Sequence, residues 1–145
     1  MFLTSSYDFI DKDEEIIQKL IEPDFDIKNR VVLETTPSIN PQGGGGIATI
    51  EYYSPQEVLI STNSQVPKIL YLSDNYYPGW KATVDGYKVD ILNADYAFRA
   101  VPLPKGEHIV RFYYDSLAFK IGVAISLASL LLVWLLYFSK LFKKF

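Results

Sequence analysis

Eighteen residues, Ile121 to Phe138, follow one another without a charge: Ile-Gly-Val-Ala-Ile-Ser-Leu-Ala-Ser-Leu-Leu-Leu-Val-Trp-Leu-Leu-Tyr-Phe. As an α-helix this run reaches about 27 Å, close to the ~30 Å hydrocarbon core of a bilayer. A helix lying on a globular core keeps one wet side, and this run has no polar face, so that reading is the poorer one. Trp134, Tyr137 and Phe138 stand near one end, where aromatic belts form. Lys120 can snorkel at the other. The run predicts a transmembrane helix over 117–140, with the bilayer as partner. Everything before it must fold beside an anchor.

The flanking charges orient that helix. Lys140, Lys143 and Lys144 follow it, whereas Lys120 is offset by Asp115. The positive-inside bias predicts a cytoplasmic basic tail, 141–145, and an extracytoplasmic location for residues 1–116. The opening Met-Phe-Leu-Thr-Ser-Ser-Tyr-Asp has neither the basic stretch nor the apolar core of a signal peptide. An exported body then needs other membrane helices, and the expectation is a piece of a multi-pass protein. All 17 acidic side chains precede Lys120, against ten basic ones, which speaks against a nucleic-acid partner. With no cysteine and a single histidine, His108, disulfides, thiolate metal sites and multi-histidine sites fall away. Neither a metal nor a cofactor is expected.

Residues 1–30 read as a short helix and a connection. The helix covers Asp11 to Ile21, capped by Asp11 or Asp13, with Ile16, Ile17, Leu20 and Ile21 as its apolar face. Val31 to Thr35 reads as a strand. Thr36 to Gly46, with two prolines and four consecutive glycines, reads as a flexible loop; no Gly-Lys-Ser/Thr follows to make it a phosphate cradle. Short strands come next over 47–53, 57–62, 68–72, 81–84, 88–92, 98–102 and 107–114, most of them separated by Pro, Gly, Asn or Asp. In the last, His108, Val110, Phe112 and Tyr114 share a face. The fold class expected is mainly β: an antiparallel β-sandwich over 31–116, a short N-terminal helix before it and one C-terminal membrane helix after it.

The densest stretch of special residues joins two of these strands: Ser73-Asp-Asn-Tyr-Tyr-Pro-Gly-Trp80, followed by the turn Asp85-Gly86. Pro78-Gly79 bends the chain sharply and delivers Trp80, whose indole is expected to fold over the core. At least one of Tyr76 and Tyr77 should face outward. An exposed ring beside Asp74 and Asn75 has the makeup of a sugar contact, so Asp74, Asn75, Tyr76 and Tyr77 are candidate glycan contacts. Pro78, Gly79, Trp80, Asp85 and Gly86 form the structural signature. Asp74, Asp85, Asp90 and Asp95 suggest paired carboxylates for glycoside hydrolysis; the plainer reading makes the first two turn formers and the last two solvated residues. His108 reads as a packed or edge histidine, and Arg99 and Arg111 as partners of local carboxylates. Gly122, Ser126 and Ser129 put small residues on one face of the membrane helix, where a further helix could pack; ordinary membrane composition explains them as well.

The segment Leu72-Ser-Asp-Asn-Tyr-Tyr-Pro-Gly-Trp-Lys-Ala-Thr-Val-Asp-Gly86, then Ala97-Phe-Arg-Ala-Val-Pro-Leu-Pro-Lys-Gly-Glu-His108 and Val110-Arg-Phe-Tyr-Tyr114 before a membrane helix, resembles the C-terminal end of the bacterial YfhO membrane protein family. That resemblance implies a multi-pass, GT-C-like glycosyltransferase using a polyprenyl-phosphate sugar on cell-envelope polymers. In such enzymes the acidic catalytic residues lie in early loops that this chain does not contain, so no catalytic residue is assigned. The expected role is an accessory extracytoplasmic domain and anchor. The alternative is a membrane-anchored carbohydrate-binding or structural ectodomain with no enzyme attached. A free-standing hydrolase lacks a plausible site.

Overall fold

Strand formation follows the alternation of apolar and polar side chains. In the computed structural model of the chain, which describes residues 1–142, eleven strands and two helices are present. A six-stranded sheet runs in the order β1 (Phe2–Thr4), β6 (Lys68–Asn75), β10 (Phe98–Leu103), β9 (Leu92–Ala94), β3 (Arg30–Leu33), β2 (Ser6–Phe9). A five-stranded sheet runs β4 (Gly46–Ser54), β5 (Glu57–Ser64), β11 (Gly106–Tyr114), β7 (Trp80–Val84), β8 (Tyr87–Val89). The mainly β, two-sheet class expected from sequence is the one observed.

The sheets enclose one core. Leu70 and Leu72 of β6 and Val101 and Leu103 of β10 meet Val58 and Ile60 of β5 and Val110 and Phe112 of β11. The alternate residues of the first sheet build a second apolar layer, with Ile69, Tyr71, Ala94 and Ala100 beside Val31 and Leu33. Strand β6 is thus buried on both faces, which explains why Ile69 to Leu72 is apolar at every position.

Four details depart from the sequence reading. The first 30 residues are not only helix and connection: β1 pairs with β6, and β2 pairs with β3, so the compact unit is Met1–Tyr114. The β2–β3 pair is parallel, and parallel neighbours need a crossover, which α1 (Asp13–Leu20) supplies with Ile16 fully buried. The cap of α1 is Lys12, without a side-chain cap bond, so neither Asp11 nor Asp13 caps it. The strand expected over 88–92 is two strands in different sheets, β8 and β9; Asp90-Ile91 carries the chain across. The glycine loop is held down rather than free. Lys68, buried, donates from Nζ to the Gly44 carbonyl at 2.6 Å, and the Gln42 amide donates to Pro67.

The second unit begins at Asp115. Its helix α2 (Leu117–Phe142) starts where the Ser116 hydroxyl accepts the Phe119 amide, and Asp115 pairs with Lys120. Leu117–Leu135 is long and apolar enough to cross a membrane, and none of it is buried in protein. Water would have to solvate that whole surface, whereas lipid accepts it. Lys143 and Lys144 lie outside the described residues, as do the side chains of Phe138 and Lys140.

Candidate functional site: the crossover turn and its groove

The aromatic turn is a crossover between sheets. Strand β6 ends at Asn75 in one sheet, and β7 begins at Trp80 in the other. Gly79 has φ +110°, a conformation closed to most side chains, and this lets the Trp80 amide reach back to the Tyr77 carbonyl. The Tyr76 amide donates to Ala97, tying the turn to the start of β10.

Just before the turn, the register of β6 on β10 slips. Arg99 faces Leu72, yet Phe98 faces Asn75, so Ser73 and Asp74 form a bulge. Bulges re-aim side chains, and this one brings the Asp74 carboxylate onto the guanidinium of Arg99. Arg99 alternates with Val101 and Leu103 and so points between the sheets, where its side chain is 0% exposed. Its Cζ lies 3.8 Å from the Trp80 ring centroid and 5.2 Å from that of Phe112. A cation in the first sheet is therefore packed against two rings of the second. Burial pushes the Arg99 pKa down, and Asp74 works against that shift; an arginine stays protonated regardless. Its Nε and Nη1 have no hydrogen-bond partner among the described residues. The Tyr53 hydroxyl completes the cluster by donating to Asp74 at 3.3 Å.

Asp74 is thus a counter-ion, and its bond with Arg99 accounts for the carboxylate. Asn75 is exposed and donates its amide to Asp74. Tyr76 is 39% and Tyr77 63% exposed. Trp80 is half-buried against the inter-sheet core instead of being enclosed by it. Pro78 is exposed at the tip.

Tyr76 and Trp80, but not Tyr77, line an open groove of ≈ 1040 Å³. It is also lined by Lys81 of β7, by Lys88 to Leu92 on β8, the link after it and the start of β9, and by the loop after β3, including Thr36 and Ser38. Sequence reasoning expected Arg99 to pair with a local carboxylate, as it does with Asp74, but missed its burial, and it missed Tyr113 and Lys88 in the groove. A charged residue in phase with Val101 and Leu103 is the one local sign of the first.

Asp85-Gly86 lies apart from this cluster, at the far end of β7. Both residues have positive φ, +53° and +84°, as a two-residue hairpin turn requires. The Asp85 carboxylate bonds His108 Nδ1 at 2.7 Å and accepts the Ile109 amide at 2.8 Å, which hold its pKa below the ordinary carboxylate value. Asp95 is not a solvated residue: it is 6% exposed and accepts the Val32 amide at 2.7 Å. Its left-handed φ of +49° folds the β9–β10 turn inward and takes the carboxylate with it, and burial then raises its pKa. Arg111 pairs with Glu57, as expected of a residue next to local carboxylates. The carboxylates of Asp74, Asp85 and Asp95 serve three separate partners.

The family described as "Bacterial membrane protein YfhO" matches residues 47–126, from β4 through the crossover turn into α2. The chain belongs to the YfhO family. No curated protein and no solved structure matches it. For this YfhO chain, family and helix agree: it is a membrane-associated protein with a β-rich domain ahead of an apolar helix.

Proposed function

We propose that this YfhO chain is the extracytoplasmic β-domain and anchor of a membrane glycosyltransferase that modifies cell-envelope glycopolymers with sugar from a polyprenyl-phosphate carrier. The observation that carries the reading is the family match across the aromatic turn and into the start of the helix. The domain's part is to handle glycan at Asn75–Tyr77 and the adjoining groove, with Asp74 held as the counter-ion of Arg99 and the transfer chemistry supplied elsewhere in the enzyme. The lysines after the helix support a cytoplasmic C-terminus. Gly122 and Ser126, side by side on a shallow notch of α2, support packing against further membrane helices.

Two experiments test this. Deleting the coding region in its bacterial host should lower the sugar content of an envelope glycopolymer, and wild-type chain should restore it; unchanged glycosylation would leave a non-enzymatic glycan-binding ectodomain as the better reading. Topology is tested by cysteine labelling, since the chain has no native cysteine. Gly43 suits this better than Gly44, because a Cβ at Gly43 meets nothing within 4 Å whereas Gly44 has φ +139°. Gly43→Cys should react with an impermeant maleimide on spheroplasts, and a cysteine appended after Phe145 should not. The reverse pattern would place the domain in the cytosol.

A further inference from the structure

We propose that the end of the β-domain carrying the crossover turn docks on the head-group region of a lipid bilayer, with Tyr52, Tyr53, Tyr77 and Tyr96 as its contacts. The inference goes beyond the transferase reading. It rests on the membrane-spanning character of α2 and holds for a domain on either side of the membrane.

In Met1–Tyr114 six tyrosines are exposed: Tyr52, Tyr53, Tyr76, Tyr77, Tyr87 and Tyr96. Strand register gathers five of them at one end. Tyr52 and Tyr53 are among the last residues of β4, and Ser54 after them pairs with Glu57 across the turn into β5. That turn is tied to the end of β11, where the Tyr114 amide donates to the Gln56 carbonyl. Tyr114 in turn pairs with Trp80, at which the crossover turn carrying Tyr76 and Tyr77 ends. The β9–β10 turn carrying Tyr96 adjoins it, because Phe98 pairs with Asn75 and the Ala97 carbonyl accepts the Tyr76 amide. Tyr87 alone stands at the other end, beside the Asp85-Gly86 hairpin turn. Exposed rings concentrated in one place, instead of scattered singly, mark an interaction surface.

The chain itself names the occupant. Two residues, Asp115 and Ser116, join Tyr114 to α2, a reach of about 7 Å at full extension. An end tethered so closely to a spanning helix stays near the bilayer surface. Tyrosine suits that level, because its ring takes the apolar side while its hydroxyl stays wet. The carboxylates of the same segments do not oppose contact: Glu57 is paired with Arg111, Asp74 with Arg99, and Asp95 is buried. Glycan handled at Asn75–Tyr77 is then met at the membrane surface, where a carrier lipid presents its sugar.

The test uses the full-length chain in phosphatidylcholine vesicles that contain a lipid with a nitroxide on its head group. A fluorophore is attached to Gln56→Cys, in the β4–β5 turn, or to Gly43→Cys, in the loop held to Pro67 at the opposite end; the chain has no other cysteine. The nitroxide should quench the label at Gln56 at least about twice as strongly as the label at Gly43. Tyr52→Ser, Tyr77→Ser and Tyr96→Asn together should remove about half or more of the quenching at Gln56. Asparagine is chosen at Tyr96 because φ there is +72°. Each substitution alone should act in the same direction, and these singles are read if the triple variant fails to melt cooperatively. Tyr87→Ser should change nothing. Equal quenching at the two sites, or quenching at Gln56 untouched by the substitutions, would overturn the docking. So would its loss in about 0.5 M salt, since salt screens charges and not neutral rings. Docking in vesicles with unchanged glycosylation in the deletion strain would keep this contact and remove the transferase. A glycosylation defect without docking would do the opposite.

Discussion

Arg99 shows how one charge can be held inside a small sandwich. Its guanidinium is flat, so it can lie over the Trp80 ring and near that of Phe112 while leaving an edge for Asp74. Removing one partner of such a pair leaves a buried charge uncompensated. Asp74→Ala should therefore destabilise the chain by about 3 kcal/mol, the low end of that class, because Asp74 is itself 30% exposed. Asp74→Ala combined with Arg99→Met, which removes the charge too, should recover most of the loss. Melts of both variants decide it; a double mutant no more stable than the single one would show that the pair is not what matters. Two other carboxylates give opposite pH responses. The Asp85 pKa is lowered, first by His108 and then by the Ile109 amide, so its contribution is present above the ordinary carboxylate pKa and is lost as pH falls through the native value. The Asp95 pKa is raised by burial, so the folded state keeps a proton that the unfolded state has shed, and stability falls as pH rises through that window. Asp95→Asn keeps an acceptor for the Val32 amide and tolerates the left-handed φ. It should flatten that fall and be at least as stable as wild type at neutral pH, whereas Asp85→Asn should remove the acid-side loss. Urea midpoints measured between about pH 3 and about pH 8 test both signs.

The β7–β8 hairpin and the glycine loop after β3 both depend on glycine, for different reasons. In the hairpin, Gly86 adopts φ +84° with open space around it, so alanine meets only backbone strain there. Gly86→Ala should cost about 1–2 kcal/mol. Gly43 has open space and no positive φ, so Gly43→Ala should be neutral or stabilise by about 0.4–1 kcal/mol through the unfolded chain. Melting the two variants side by side separates the effects, and equal losses would mean that the loop is as constrained as the hairpin. The crossover turn was legible as a bend, because Pro78-Gly79 announces itself locally. That its two strands lie in different sheets was not legible, since strand periodicity reads the same whichever partner a strand finds. For the same reason the run 88–92 looked like one strand, although it changes sheets at Asp90-Ile91.

The two units differ in solvent. Met1–Tyr114 buries its own apolar residues in two layers, and α2 exposes Leu127, Leu131 and Val133 on every side. Residues 1–116 without the helix should therefore be soluble and fold cooperatively, with a circular dichroism spectrum dominated by strand and a small helical part from α1. A non-cooperative melt, or an unfolded spectrum, would show that the domain needs its anchor. The N-terminal strands matter to this test: β1 covers the edge of β6, so a fragment starting at Val31 would expose that edge and should aggregate.

What the sequence determined by itself were the features that local chemistry decides. An uncharged run of 18 residues can only be solvated by lipid, alternating side chains make strands, and Asp85-Gly86 makes a tight hairpin turn. That at least one of Tyr76 and Tyr77 faces outward also followed from the alternation before the bend; both do. Tertiary structure decided what depends on residues far apart in the chain. The burial of Arg99 and Asp95, the conversion of Asp74 into a counter-ion, the recruitment of residues 2–9 into a sheet and the groove shared by Trp80 and Tyr113 all arise from pairings across 20 to 70 positions, as Phe2 with Tyr71 and Asp95 with Val32 illustrate. No local pattern encodes such a pairing, because its energy exists only once the two sheets have met.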